Sequence, residues 1–203
     1  DISQRCDDHV STFDTSIATA CVDKSIAAPA TNMLNHVSTF DTSNKKRMIV
    51  EICADADSSL CNAAFGDDCD LIRITEDDDL LSPEGYQKAK DAVSHTNVLM
   101  FVSLPCTGGS PWQSVNKKTQ ADRNRISNHR TKFQELLKKV WSLAEIVEEH
   151  KGHIAFELPQ NNAYWTDPDI KLDDFLVEFG FQPIIIDGCQ FGLVSKDGIP
   201  IKK

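Results

Sequence analysis

One stretch limits what this chain can fold into more than any other: Val98-Leu99-Met100-Phe101-Val102-Ser103-Leu104-Pro105-Cys106-Thr107-Gly108-Gly109-Ser110-Pro111-Trp112-Gln113. Its opening is apolar, rich in β-favouring residues and short, which reads as a buried strand. It stops at a rigid Pro-Cys pair followed by a Gly-Gly-Ser turn. α/β folds carry their chemistry at such corners, because ligands bind outside the carboxyl ends of the strands. The corner offers a thiol, a hydroxyl and two glycines whose missing Cβ atoms let a ligand approach the backbone. Taken alone, the stretch fits equally well an ordinary turn carrying an inert, buried cysteine.

The flanking sequence supplies more strands and helices in alternation. Met48–Cys53 reads as a strand, with a helix over about 58–66 capped by Asp57 or Ser58. A second strand, Asp70–Thr75, ends in the acidic turn 76–79. Ser82-Pro83-Glu84 is a helix start, with a cap residue and then proline at the first position, and this helix runs to Ser94. After the strand at 98–104 a polar loop extends to about 127. A helix is then expected over about 128–150, because Phe133, Leu136, Leu137, Val140, Trp141, Ala144 and Val147 recur at three- and four-residue spacing. His153–Glu157 is the next strand. Asp167-Pro168 opens a helix that ends at Gly180. Pro183–Asp187 and 190–195 read as two strands joined as a hairpin. This order predicts a doubly wound α/β sheet that ends in an antiparallel hairpin.

Residues 1–46 read differently, as a poorly packed N-terminal arm. The octapeptide His-Val-Ser-Thr-Phe-Asp-Thr-Ser occurs at 9–16 and again, unchanged, at 36–43. Two copies are too few to stack into a solenoid. They fit a docking motif for a protein partner, a processing site or a duplicated linker. The folded domain is expected over 47–203.

With 203 residues the chain has room for one well-buried domain. No apolar run approaches the length of a membrane span, so no membrane partner is expected. The seven cysteines are odd in number and show no CxxC or zinc-finger spacing. They read as reduced thiols of an intracellular protein, and no metal site is expected. The formal net charge of −10 disfavours non-specific nucleic-acid binding over the whole surface. Residues 116–140 run against that balance, with eight basic residues facing only Asp122 and Glu135.

Along the active edge of such a sheet the strand ends would present Glu51, Glu76, Pro105-Cys106 and Glu157. A thiol and a carboxyl on neighbouring loops form a chemical pair: one adds to an electrophilic carbon, the other moves a proton on the same substrate. The arrangement resembles the DNA cytosine-5 methyltransferases over roughly residues 47–195. Pro105-Cys106-Thr107-Gly108-Gly109-Ser110 is similar to that family's Pro-Cys-Gln-Gly-Phe-Ser loop at Pro, Cys, the first Gly and Ser. Phe156-Glu157-Leu158-Pro159 falls where the family has Glu-Asn-Val. Pro-Cys-Thr-Gly-Gly-Ser-Pro-Trp-Gln also resembles methyltransferase-like domains of protist polyproteins and retroelement-associated reading frames.

The resemblance implies a Rossmann-like methyltransferase sheet that uses S-adenosylmethionine. Cys106 would attack C6 of a cytosine and Glu157 would protonate or hydrogen-bond its N3. The cofactor would lie against Glu51, Cys53, Ala54, Asp57, Ser58, Glu76 and Pro105. DNA or RNA would contact the 106–132 segment through Gly108, Gly109, Ser110, Trp112, Lys117, Lys118, Arg123, Arg125 and Arg130. The first loop, Ala54-Asp55-Ala56-Asp57-Ser58, has none of the family's glycines. That favours the alternative of a catalytically inactive module acting in protein interaction or assembly. A third reading pairs Cys106 with His129, His150 or His153 in a cysteine hydrolase.

Overall fold

The computed structural model describes residues 17–21, 46–56, 58 and 69–186. The duplicated octapeptide, Asp57, most of the 58–66 helix and the 190–195 strand lie outside the described residues.

Six strands form one mixed sheet: β1 (Ile17–Cys21), β2 (Arg47–Ile52), β3 (Cys69–Ile74), β4 (Val98–Val102), β5 (His153–Pro159) and β6 (Gln182–Ile186). Their order across the sheet is β3-β2-β4-β5-β1-β6. The four strands β3, β2, β4 and β5 pair in parallel. β1 runs antiparallel to β5 on one side and to β6 on the other. Five residues of the segment expected to be a separate arm are therefore a strand inside the sheet. β6 falls at the first strand of the expected hairpin, and its described antiparallel partner is β1; the second hairpin strand lies outside the described residues.

Among the described residues four α-helices join the strands: α1 (Pro83–Val93), α2 (Gln113–Asn116), α3 (Gln120–Glu149) and α4 (Leu172–Glu178). The parallel strands alternate their side chains between two faces. Val50, Ile52, Ile74, Val98, Met100, Val102, Ile154, Phe156 and Leu158 point to one face and share a core with the apolar sides of α1, α3 and α4. Phe133, Leu136, Leu137, Val140, Leu143, Ala144 and Val147 of α3 are buried there. Phe175 of α4 packs on Phe156 of β5 and on Trp141 of α3. Among the described residues no helix covers the opposite face. That face carries Glu51, Arg73 and Glu157.

Two helix starts differ from the expectations. α3 begins at Gln120, eight residues early. Thr119 and Asp122 form a capping box there: Thr119 Oγ1 accepts from the Asp122 backbone N–H at 3.1 Å, and Asp122 Oδ2 accepts from the Thr119 N–H at 3.0 Å. The first two turns bury only Ile126, so they carry no apolar periodicity. α4 begins at Leu172, well after Asp167-Pro168. Asp167 Oδ1 accepts from the Asp169 N–H in a local turn, and Lys171 takes a left-handed φ of 59°, which breaks helical continuity. Its end is as expected, with Gly180 at φ 65°.

Candidate active site

The parallel register sets Val102 of β4 beside Phe156 of β5. One residue further on, Ser103 meets Glu157. Ser103 Oγ donates to Glu157 Oε2 at 2.8 Å, and the Ser103 backbone N–H donates to Ile52 O at 3.1 Å. The ends of β2, β4 and β5 are thus stitched together through one serine. Glu157 is half-buried at this junction.

The Pro-Cys corner follows. Pro105 is exposed and Cys106 half-buried. Thr107–Gly109 is a single 3-10 turn, closed by the Gly109 N–H donating to Cys106 O at 3.1 Å. Asn162, buried beyond β5, donates from Nδ2 to Cys106 O at 2.8 Å, and its Oδ1 accepts from the Tyr164 N–H at 3.0 Å. The loop after Glu157 is therefore bonded to the backbone of Cys106.

Gly108 and Gly109 are both buried, and their missing side chains are needed for packing. A Cβ on Gly109 would overlap Asn162 Oδ1, and one on Gly108 would overlap the Tyr164 hydroxyl and approach His129 Cβ to 2.9 Å. The expectation that they leave room for a ligand is corrected by this geometry: the space is filled by Asn162, Tyr164 and α3. Tyr164 is fully buried against Phe133, with ring centroids 4.3 Å apart. Burial pushes its phenol up to about 12, against the pull of Arg130. Its hydroxyl has no hydrogen-bond partner among the described residues.

The residues expected to hold a cofactor divide into two groups. Glu51 is buried, and both its carboxylate oxygens are engaged: Ser58 Oγ donates to Oε1 at 2.6 Å, and Arg73 Nε donates to Oε2 at 3.0 Å. Arg73 also reaches the carbonyls of Ala56 and Ser58, and so clamps the loop after β2. Cys53 takes a left-handed φ of 59° with its N–H on Ile74 O at 2.9 Å. Burial raises its thiol to about 11, with nearby Lys132 pulling the other way. Ala54 is half-buried in the same loop. Glu76, by contrast, is 94% exposed at the end of β3, with Lys132 Nζ 3.7 Å away.

The residues expected to touch nucleic acid also divide. Arg130 is paired with Asp167 at 2.6 Å, and Arg125 lies 3.6 Å from Asp122. Ser110 is half-buried, and its hydroxyl accepts from the Trp112 N–H at 3.4 Å. Trp112, Lys117, Lys118 and Arg123 are exposed. The structure brings Cys106 and Glu157 onto adjoining strand ends. It keeps Glu51 and the first loop in their own ion-pair cluster, and the Ser103 N–H on Ile52 O bonds the end of β2 to the strand that leads into the corner.

Four residues of this arrangement escaped sequence reasoning: Arg73, Ser103, Asn162 and Tyr164. Only Arg73 carried a readable signal, a cation at an alternating position of Leu71-Ile72-Arg73-Ile74 that falls opposite Glu51 in register. A groove of about 790 Å³ runs along α1 and β3, lined by residues including Ile72, Gln87, Lys88, Asp91 and His95. None of the expected site residues lines it. No group of three or more His, Cys, Asp or Glu among the described residues is placed to hold a metal ion. None of the described helices is long and apolar enough to cross a membrane. No family model matches the chain, and neither a curated protein nor a solved structure matches it.

Proposed function

We propose that this chain is a methyltransferase-type domain of Rossmann-like architecture that modifies cytosine in nucleic acid, with Cys106 as nucleophile and Glu157 as its proton partner. The observation that carries the reading is the Ser103–Glu157 hydrogen bond. It fixes a carboxyl at the end of β5 against the loop that bears Cys106. Asn162 ties the same two loops together a second time.

The Cys106 sulfur adds to C6 of the base. The C5–C6 π pair moves toward C5, and Glu157 supports that shift by a proton or hydrogen bond at N3. C5 is then nucleophilic. Loss of the C5 proton after substitution restores the double bond and expels the thiolate. The base must leave a stack, or arrive unpaired, for the thiol to reach C6. Protein partners of the duplicated octapeptide belong to the same proposal.

The residues fit S-adenosylmethionine on one side of its expected site. Glu76 is an open carboxylate at the end of β3, suited to the hydroxyls of a ribose, and Pro105 is exposed after β4, with β2 between the two strands. When bound, the cofactor supplies an electrophilic methyl group. The fit fails at the end of β2, where Glu51 is already saturated by Ser58 and Arg73. That observation favours the second reading, a methyltransferase-like fold without catalysis that serves in interaction or assembly.

One experiment separates the two. Binding of S-adenosylmethionine at 100 times its Kd raises stability by about 2.7 kcal/mol, which thermal unfolding registers as a rise in Tm. Transfer of labelled methyl to cytosine-containing oligonucleotides, abolished in Cys106→Ser, is the expected result. No shift and no transfer at millimolar cofactor overturns the catalytic reading and leaves the second.

A further inference from the structure

We infer that the surface formed by Trp112, Val115, Lys117, Lys118 and Arg123 binds a single-stranded polynucleotide, and that the substrate of the Cys106 site is an unpaired strand rather than a duplex. The inference rests on the proposed function for what happens at Cys106, and on the surface itself for the strandedness.

Trp112 and Val115 are each 55% exposed. They lie three residues apart at the start of α2, so they share a face. This face is mounted firmly on the candidate site. Gln113, buried between them, donates from Nε2 to Thr107 O at 2.9 Å, which ties α2 to the residue next to Cys106. Large apolar side chains held rigidly in water beside a reactive corner mark a contact surface. Lys117 and Lys118 follow directly, exposed, and Arg123 stands one turn into α3 with its guanidinium braced on Gln120 Oε1 at 3.1 and 3.2 Å. An aromatic face followed by cations is the combination that holds a strand by base stacking and phosphate contact.

Two arguments favour one strand over two. A duplex presents a phosphate charge about every 1.7 Å of its axis, and the chain as a whole carries −10. A long duplex laid over this protein would meet a small basic patch inside an acidic surface. A few unpaired nucleotides need only the patch. Stacking gives the second argument, since a base inside a duplex has both faces covered by its neighbours. An exposed indole has no face to stack on until a base is unpaired.

The test is fluorescence anisotropy with the full chain and labelled 12-nucleotide DNA and RNA, each as a single strand and as a duplex, at several salt concentrations. Single strands are expected to bind at least ten-fold more tightly than duplexes. Trp112→Ala is expected to weaken single-strand binding by about 5- to 150-fold, the range for loss of one stacked base, and Trp112→Phe to recover most of it. Replacing Lys117 and Lys118 by Ala is expected to reduce the slope of log K against log salt by about 0.7 per lost phosphate contact. The DNA and RNA arms identify which sugar the surface accepts. Equal or tighter duplex binding, or a Trp112→Ala protein that binds single strands as the wild type does, overturns the inference. Methyl transfer is read in parallel. Transfer that requires Cys106 but proceeds on duplex, with no effect of Trp112→Ala, sinks the inference and spares the proposed function. Trp112-dependent single-strand binding without transfer does the reverse.

Discussion

Gly109 shows how little freedom the Pro-Cys corner has. Its α-carbon sits against Asn162, whose amide is already bonded to Cys106 O and to the Tyr164 N–H. Gly109→Ala would push a methyl group into Asn162 Oδ1, and the displaced amide would strip the Tyr164 N–H of its acceptor and Cys106 O of one of its two donors. Overpacking of this kind costs about 1–3 kcal/mol. The expected outcome is a lower denaturation midpoint, and circular dichroism during urea unfolding measures it. An unchanged midpoint would show that the Asn162 bridge can yield. Gly180 is a useful contrast, since nothing lies within 4 Å of its missing Cβ and only its φ of 65° favours glycine. The sequence marked both glycines at the corner but not their use. A Gly-Gly pair reads the same whether the space beside it is filled by a ligand or by an asparagine from the far side of β5. Asn162 is more than fifty residues away in the chain, and no local pattern couples it to Cys106.

At the level of elements, the Glu51–Arg73 pair joins β2 to β3 on the face opposite the main apolar core, and Arg73 also holds the loop that leaves β2. Removing one partner of a buried pair strands the other charge. Arg73→Met is therefore expected to destabilise by about 3 kcal/mol. Glu51→Gln combined with Arg73→Met is expected to cost less than Arg73→Met alone. Chemical denaturation of both variants checks the ordering, and equal losses would mean the carboxylate is not the stranded group. Much of the element layer was legible beforehand. The strands at 48–53, 70–75, 98–104 and 153–157 each lie within two or three residues of where they were expected. So does α1, because Ser82 caps it, its hydroxyl accepting from the Gly85 N–H at 2.9 Å. The start of α3 was not legible. Its first two turns bury Ile126 alone, so only the Thr119–Asp122 cap announces them, and a capping box without an apolar run behind it is a weak signal. That miss matters for the site, because it turned Arg123 and Arg125 from loop residues into helix residues.

In the whole molecule, β1 changes the reading of the N-terminal segment. Composition marked residues 1–46 as an arm, since Ser, Thr, Ala and Asp dominate there and no long apolar run appears. A strand of five residues flanked by two neighbours needs little hydrophobicity of its own, because each side of it gains a ladder of backbone hydrogen bonds. Among the described residues, β6 joins the rest of the sheet through β1. Deleting residues 1–21 is expected to remove amide-exchange protection from 182–186 while β2, β3 and β4 stay protected, as read by hydrogen exchange with mass spectrometry. Protection of β6 that survives the deletion would mean another segment fills the gap. The position of β1 also has a consequence for synthesis. Ile17 pairs with Pro159 and with Ile186, so β1 leaves the ribosome long before the two strands that seat it. At about 5–20 residues per second, that wait is roughly 7–30 s. Throughout it both edges of β1 lack their strand neighbours, and a nascent chain arrested before β5 has nowhere in this sheet to place it.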